Sequence, residues 1–161
     1  MTSTPIDAST APSFVRHSNR ITLGLLRLGL PMGPNVILTV RGRTSGLPRS
    51  APVALVETDG RRWILGAYGE VNWVRNLRAA GEADIAVHGR TEHVEAVELD
   101  QVSATAFFRD TLAAYVGRLP RFGRLFARTL FRTISAEEIL TDPELAAARR
   151  PVFELLPLGR C

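Results

Sequence analysis

The chain has 161 residues, of which 45% are hydrophobic and 22% charged, as in an ordinary globular domain. A chain of this length buries enough apolar surface to fold as one domain without disulfides or a structural metal. The single cysteine, Cys161, allows no intrachain disulfide, which fits a reducing compartment. The composition therefore excludes a largely disordered chain, a collagen-like repeat and a cysteine-stabilised scaffold.

The charge is positive and unevenly distributed. All 20 basic residues are arginine, against 16 acidic ones, so the net charge is +4. The absence of lysine indicates the codon usage of a high-GC bacterium rather than a function. Residues 14–56 and 111–135 carry arginines and no acidic residue, and such stretches attract a phosphorylated cofactor, an anionic membrane surface or nucleic acid. No recognition motif supports nucleic acid, so we do not expect it to bind.

The first segment of the chain predicts a tail and a helix. Residues 1–13 are polar and rich in Ser, Thr and Pro, which is typical of a disordered tail. The spacing of Ile21, Leu25 and Leu28 predicts an amphipathic helix within residues 15–30. The apolar run over residues 21–30 is interrupted by Arg27 and is too short to span a bilayer or serve as a signal peptide.

Six segments have the pattern of β-strands, and short turns separate most of them. Pro52, inside the second, requires an edge, a bulge or a missing ladder hydrogen bond. The turns at Asp59-Gly60 and Gly89-Arg90 predict hairpins. The predicted strands cover residues 35–41, 49–57, 61–68, 82–88, 91–99 and 151–156. We therefore predict an α+β protein, a small antiparallel barrel of five to six strands with flanking helices, in one domain over residues 14–161.

Four helices are predicted around these strands. A short one is capped at Asn72 and ends at Gly81, and a longer one follows Asp100. Pro120 ends the longer helix, and a basic helix over residues 121–133 comes next. A final helix begins within residues 135–138.

The standard signatures of catalysis are missing. The sequence has no G-x-S-x-G, no H-E-x-x-H and no Walker loop. His88 and His93 lie five residues apart across a predicted turn, which is not the spacing of a helical metal pair, so no metal site is predicted. Glu92, Glu95 and Glu98 have the spacing of the solvated side of a strand. A hydrolase with its own nucleophile and base is therefore not expected.

The most informative stretch is RGRTSGLPR at residues 41–49. Its glycines allow positive φ, so that successive backbone N–H groups can converge on one point. The hydroxyls of Thr44 and Ser45 add donors, and the guanidinium groups of Arg43 and Arg49 suit a phosphate. The alternative is an ordinary basic hairpin loop, which composition alone favours.

A second stretch, NWVRNL at residues 72–77, places Trp73, Asn76 and Leu77 on one helix face. Leu77 has the character of a core residue, whereas Asn76 is a poor mid-helix residue whose amide needs partners when buried. Asn76 either ties down a neighbouring loop or faces a ligand, and the sequence does not decide between the two.

Taken in order and spacing, these two stretches and the strands between them resemble the deazaflavin-dependent nitroreductase/quinone reductase family over residues 36–99. Members have a split β-barrel related to flavin reductases and use reduced coenzyme F420 as hydride donor. The resemblance implies an oxidoreductase that reduces a quinone-like or nitroaromatic molecule. The alternatives are an FMN-binding split-barrel reductase and a non-catalytic carrier of a cofactor or lipid. Together with the arginine usage, it also implies an actinobacterial source.

By motif, the resemblance implies specific cofactor contacts. The phosphate and acidic tail would be held by Arg43, Thr44, Ser45 and Arg49. The ring would lie against residues from two strands, namely Ser50, Ala51, Pro52, Leu65, Gly66, Ala67 and Tyr68. The pocket would be closed by the short helix through Asn72, Trp73, Val74, Arg75 and Asn76. Tyr115 is the candidate catalytic residue, as a hydrogen-bond donor to the acceptor, and its alternative is a helix-surface aromatic.

The chain departs from the family pattern at three places. Thr44 stands where members often have lysine, and Tyr68 where some have another lysine. The loop over residues 69–71 is shorter than in the nitroreductases. The lost charges weaken the expected anion site, and the shorter loop speaks against nitroaromatic reduction.

The basic helix over residues 121–133 allows two interpretations. Its arginines, with Arg118, follow one stripe, and its Phe and Leu residues follow another. Either the apolar stripe covers the barrel and the arginines face water, or the helix lies on an anionic membrane surface. The expected location is therefore cytoplasmic, with contact to the inner face of the membrane under the second interpretation. A homodimer is compatible with either.

Overall fold

The computed structural model describes residues 35–133 and 135–158. Its six antiparallel strands form a closed barrel in the order β1-β2-β3-β6-β5-β4, with β4 pairing back onto β1. The strands are β1 Asn35–Arg41, β2 Pro48–Thr58, β3 Arg61–Leu65, β4 Glu82–Val87, β5 Arg90–Glu98 and β6 Val152–Pro157. This confirms the predicted α+β barrel. The predicted tail at residues 1–13 and helix within 15–30 lie outside the described residues.

The helices lie between β3 and β4 and between β5 and β6. They are α1 Asn72–Ala80, α2 Gln101–Ala106, a π-helical segment Phe107–Leu112, α3 Ala113–Arg118, α4 Arg121–Thr133, α5 Glu138–Thr141 and α6 Pro143–Arg149. Within the described ranges, none of these helices has the length and apolar character needed to cross a membrane.

Several predicted boundaries are wrong. The third strand ends at Leu65 rather than at residue 68, because the Gly66 N–H donates to the carbonyl of Pro151 and the chain turns. The cap of α1 is Val71, not Asn72, and no side chain caps the helix. The single final helix is two, because the Asp142 carboxylate accepts a hydrogen bond from the N–H of Leu145 and starts α6 anew.

One apolar core fills the barrel. Side chains of all six strands point inward, and α1 closes the end with Val74 and Leu77, both fully buried. Gly81 ends α1 with φ of 71°, where its N–H donates to the Leu77 carbonyl, as predicted for a helix stop. Because α1 plugs the barrel, its position is set by core packing rather than by surface contacts.

A second core lies on the outer face of β2, β3 and β6. Val56, Trp63 and Val152 are buried there against Phe107, Phe108 and other residues of the C-terminal helices. The Trp63 and Phe107 rings are tilted by 50° with centroids 5.6 Å apart. These strands are thus buried on both faces, which accounts for their continuous apolar sequence.

The first half of β2 is an open edge. β3 pairs with β2 only from Ala54 to Thr58, so among the described strands residues 48–53 have β1 as their one ladder neighbour. Pro52, opposite Ile37 of β1, lies in this half. Of the three arrangements that Pro52 allows, the described strands show the edge.

Arg150 joins the C-terminal helices to the loop that follows β3. Its guanidinium donates to the Glu138 carboxylate at 2.6 Å and to the Ala67 carbonyl at 2.6 Å. Both charged side chains are nearly buried, with 13% and 10% exposed. Burial raises the pKa of Glu138, but the hydrogen bonds and charge of Arg150 outweigh it, so that the net pKa is below the usual value.

We predict that Arg150→Met lowers the free energy of unfolding by about 2–3 kcal/mol, because it strands the Glu138 carboxylate. Urea unfolding at pH 7 measures this. Since the pKa of Glu138 is lowered, its contribution is present above the unfolded value of about 4.3 and is lost as pH falls through the folded value.

The matched control is Glu137→Gln, which removes an exposed pair with Arg132 at 3.9 Å and should cost well under about 1 kcal/mol. Equal losses in both variants would contradict the assignment of Arg150.

Candidate functional site

The loop between β1 and β2 is tightly folded and exposed. The Gly42 N–H donates to the Leu47 carbonyl at 2.9 Å, and the Gly46 N–H to the Gly42 carbonyl at 2.8 Å. A Cβ on Gly42 would lie 2.8 Å from the Ser45 hydroxyl oxygen, and Gly46 has φ of 69°, so each glycine has its own structural reason. No hydrogen bond within the described residues uses the N–H groups of Thr44 or Ser45.

Asn76 fastens this loop to α1. Its Oδ1 accepts two hydrogen bonds from Arg43, one from the backbone N–H at 3.2 Å and one from Nη1 at 2.9 Å. Asn76 is 6% exposed and is the only buried polar or charged residue in the described ranges. Asn76 therefore ties down the neighbouring loop, which is one of the two roles considered for it. The Nδ2 donor takes part in no hydrogen bond among the described residues, so it remains available to a ligand.

The loop carries positive charge without matching carboxylates. Arg41 and Arg49 have no hydrogen bond or ion pair to any side chain that the structure describes, and Arg43 bonds only to Asn76. The Arg49 Cγ lies 3.5 Å from the position that a Gly42 Cβ would take, so Arg49 stands against the loop. This end of the barrel therefore offers guanidinium groups and unpaired N–H donors to one anion.

The open edge of β2 begins where the loop ends. Ser50 pairs with Thr39 through their hydroxyls at 2.9 Å on the outer face, and Ala51 and Pro52 are half-buried beside it. The edge thus leads from the charged loop to an apolar surface.

The loop after β3 is held in place by glycines and charges. Gly66 is buried, and a Cβ there would come within 3.2 Å of Pro151 and Val74. Arg78 of α1 donates to Glu98 of β5 and to Glu70 of this loop, each at 2.6 Å. Tyr68 projects from the loop with 44% of its surface exposed, and partial burial raises the pKa of its phenol.

The structure brings most predicted site residues to one end of the barrel. The loop at 43–49 contacts α1 through Asn76, and residues 65–68 precede α1 directly. Val74 points into the core, however, and Trp73 packs on Phe153 with ring centroids 6.1 Å apart, so both have structural roles. Asn72 is exposed, and Arg75 lies close enough to Glu70 to lower the pKa of that carboxyl, after Arg78.

Tyr115 is not brought to this group. It packs against the second core outside the barrel, and Arg118 of the same helix donates to the Thr58 hydroxyl at 3.0 Å. Thr58 is at the opposite end of β2 from Arg49, roughly 30 Å along the strand. Tyr115 is thus half-buried against aromatic and apolar side chains, and it lies neither beside the cationic loop nor as a free aromatic on the helix surface.

In the parts of the chain that are described, no group of three His, Cys, Asp or Glu side chains is arranged so that it could hold a metal ion. His93 is exposed on β5, and its Nδ1 lies 2.7 Å from the Asp84 carboxylate, which raises the pKa of the imidazole. Glu92 and Glu98 pair with Arg62 and Arg78 on the barrel surface.

A family model described as F420H(2)-dependent quinone reductase matches residues 13–121, which is more than half of the chain. The chain belongs to this family. It is therefore an oxidoreductase whose cofactor is reduced coenzyme F420, as the sequence resemblance implies. The match gives no support to FMN as cofactor or to a carrier without catalysis. No curated protein matches the chain significantly.

Several solved structures resemble the chain more distantly. An F420-H2 dependent reductase (FDR-A) is 19% identical, with a TM-score of 0.46 over 76% of this chain and 93% of that one. A structure described as a domain-swapped dimer is also 19% identical, at 0.46 over 88% and 96%. HutZ, the heme storage protein of Vibrio cholerae, is 11% identical, at 0.43 over 85% and 90%. With TM-scores below 0.5, these likenesses add nothing to the family assignment.

The residues present fit the charge of an F420-type cofactor. The arginines of the loop and the N–H groups of Thr44 and Ser45 match a phosphate and carboxylates. Asn76 Nδ2 lies beside them and, like those N–H groups, has no hydrogen-bond partner in the described part of the chain. Thr44 and Tyr68 stand where the family pattern has lysines, so the positive charge at this loop comes from Arg41, Arg43 and Arg49. The fit thus depends on few charges.

Sequence reasoning missed the residues that hold the site from behind. Arg150 fixes the Ala67 carbonyl, and Arg78 fixes Glu70, although neither belongs to the stretches that carried the resemblance. An Arg pair directly before the last strand was the only available signal, and its partners lie 83 and 12 residues away in sequence.

We predict that Asn76→Asp and Asn76→Leu separate the two roles of Asn76. Asp keeps an acceptor for Arg43 and should preserve the melting temperature, but it removes the Nδ2 donor and adds negative charge, so F420 affinity should fall at least tenfold. Leu should lose both stability and affinity. Thermal unfolding measures the stability of both variants, and a fluorescence titration measures their affinity for F420. An Asp variant with unchanged affinity would leave Asn76 as a loop tie alone.

Proposed function

We propose that this protein transfers a hydride from reduced F420 to a quinone, and that the cofactor lies between the loop at residues 43–49, the open edge of β2 and the start of α1. The observation that carries the proposal is the continuity of the cationic loop with the β2 edge. In the described part of the chain, no carboxylate pairs with that loop and no second strand pairs with that edge. When bound, reduced F420 supplies the hydride, so the chain needs no nucleophile of its own.

In this proposal the side chains bind and orient. Arg43, Arg49 and the N–H groups of Thr44 and Ser45 hold the acidic tail, while Asn76 keeps the loop closed against α1. Ala51 and Pro52 with the segment 66–68 form the apolar wall against which a planar ring is oriented. Leu65, which the resemblance places at the ring, is 4% exposed and packs in the second core instead. The Tyr68 phenol is protonated at neutral pH, as tyrosines ordinarily are, and partial burial raises its pKa further, so it can donate a hydrogen bond.

The acceptor is the part that rests most on the family description. A quinone is flat and largely apolar, and the exposed Leu47 and Tyr68 at this end provide apolar surface for it. A nitroaromatic acceptor is less favoured, because the loop before α1 is short, with Gly69 hydrogen-bonded back to Gly66.

The test is oxidation of reduced F420 by a soluble quinone, followed by absorbance, with Arg49→Ala in the same assay. Loss of one charged hydrogen bond should weaken F420 binding by about 1.5–3 kcal/mol, or roughly tenfold to a hundredfold, and the loss should shrink at high salt. Arg90→Ala, on the exposed β4–β5 turn, is the matched control. If the two variants bound F420 equally well, the assignment of Arg49 to the anion site would be wrong. If no soluble quinone oxidised reduced F420, the proposed acceptor would be wrong.

A second proposal concerns α4. One interpretation is that the apolar stripe of α4 covers the barrel. Among the side chains of α4 that the structure describes, Phe131 packs on the second core, outside the barrel. Phe122, Leu125 and Phe126 are 87%, 63% and 65% exposed. We infer that this face, flanked by arginines, rests on an anionic membrane surface, which would place a cytoplasmic enzyme near lipophilic quinones. A homodimer stays a prediction.

We predict that the protein sediments with anionic vesicles at low salt and is released at high salt, since each arginine near the surface contributes about 1 kcal/mol. Phe122→Asp with Phe126→Asp should abolish sedimentation. Val102→Asp, at a position that is 79% exposed on α2, should not. Absence of sedimentation at low salt would make α4 a solvated helix.

A further inference from the structure

A cavity of about 540 Å³ lies among the C-terminal helices, outside the barrel. It is bounded by the π-helical segment, α3, α4 and α5. Val116 and Gly117, near its wall, precede the Arg118 that reaches Thr58. The cavity is therefore at the opposite end of β2 from the cationic loop, and none of the residues proposed to bind F420 lines it.

The lining combines an apolar floor with a cationic rim. Phe108 and Ile139 are fully buried in the second core, and Val116 and Leu140 pack against that core. Four arginines also line the cavity, namely Arg109, Arg121, Arg124 and Arg128, and none of the described lining residues is acidic. The π-helical turn contributes both kinds of side chain, Phe108 to the floor and Arg109 to the rim, and such turns are frequent at functional sites.

Most of this charge is uncompensated. Arg109 pairs with Asp110 at 3.2 Å, and Arg124 donates to the Gly117 carbonyl at 3.2 Å. Arg121 and Arg128 have neither a hydrogen bond nor an ion pair to any residue described. Like charges beside a low-dielectric wall repel one another, so an anion placed among them is stabilised.

We propose that this cavity binds an anionic amphiphile, with a carboxylate or phosphate head at Arg121 and Arg128 and an alkyl chain along the floor. The volume is that of an ordinary small-molecule site. An inorganic anion would leave the apolar floor in contact with water, and a neutral alkyl chain would leave the arginines unpaired. A molecule with both an anionic head and an alkyl chain satisfies the rim and the floor together. The proposal goes beyond the F420 site and does not depend on it.

Calorimetric titration of the full chain with four probes tests the chemistry, each kept below the concentration at which it forms micelles. Dodecanoate and dodecyl phosphate should bind, and their ratio shows whether a carboxylate or a phosphate head is preferred. Dodecanol, which lacks the charge, and inorganic phosphate, which lacks the chain, should each bind at least tenfold more weakly. Equal binding of dodecanol, or no binding of either charged amphiphile, would overturn the proposal.

Two variants test the place. Arg128→Gln should weaken dodecanoate binding about tenfold. Gly117→Leu should abolish it by filling the cavity, because a Cβ at Gly117 meets no atom within 4 Å and the helix therefore accepts a side chain. Arg132→Gln is the matched control, on the same helix but outside the lining and 83% exposed.

Both site variants should retain the wild-type affinity for F420, which shows that they fold and that the two sites are separate. Should Gly117→Leu fail to fold, Arg128→Gln against Arg132→Gln still decides. Equal losses in those two would mean that the amphiphile is held by the general charge of α4, and the cavity assignment would be wrong.

Discussion

Closure of the barrel is the constraint on which the rest depends. Because β4 pairs back onto β1, the inward side chains of six strands meet in one core, and an end remains that must be covered. α1 covers it by burying Val74 and Leu77 completely. The same helix turn carries Asn76, which lies one residue before Leu77 and therefore faces the barrel rim at a fixed depth. Core packing therefore fixes α1, and the hydrogen bond from Arg43 to Asn76 in turn fixes the position of Arg43.

Much of this arrangement follows from local sequence. Alternation and turn residues predict the strands, the Asp59-Gly60 hairpin and the stop at Gly81, since each depends on the residues within one turn or strand. Pro52 indicates an irregularity at this point, and the open edge is one of the three forms it allows, because a residue without an N–H is poorly accommodated between two ladder partners. The loop at residues 43–49 and the short helix are likewise singled out from their own composition, and the resemblance that they carry leads to the correct family and cofactor.

What the sequence does not predict depends on contacts between distant segments. The second core exists because helices after β5 fold back over β2, β3 and β6, and nothing in Trp63 or Phe107 says that they meet. For the same reason Tyr115, chosen as a free polar aromatic, lies against that core. Nothing in the sequence distinguishes Arg150 from the other arginines, because its partners Glu138 and Ala67 are brought to it by the fold. The sequence predicts the amphipathic pattern of α4, but it does not predict which neighbour each face of the helix contacts, because that depends on the tertiary structure.

The open half of β2 has a consequence for association. An unpaired strand edge invites a strand of another molecule, and proteins that expose one run the risk of aggregation. Here the exposed stretch contains Pro48 and Pro52, two residues without an N–H, with Arg49 between them. A second chain would find donors missing and a charge in its way, whereas a small ligand needs no continuous ladder. The same residues that leave the edge accessible to a small molecule thus make it a poor template for another protein.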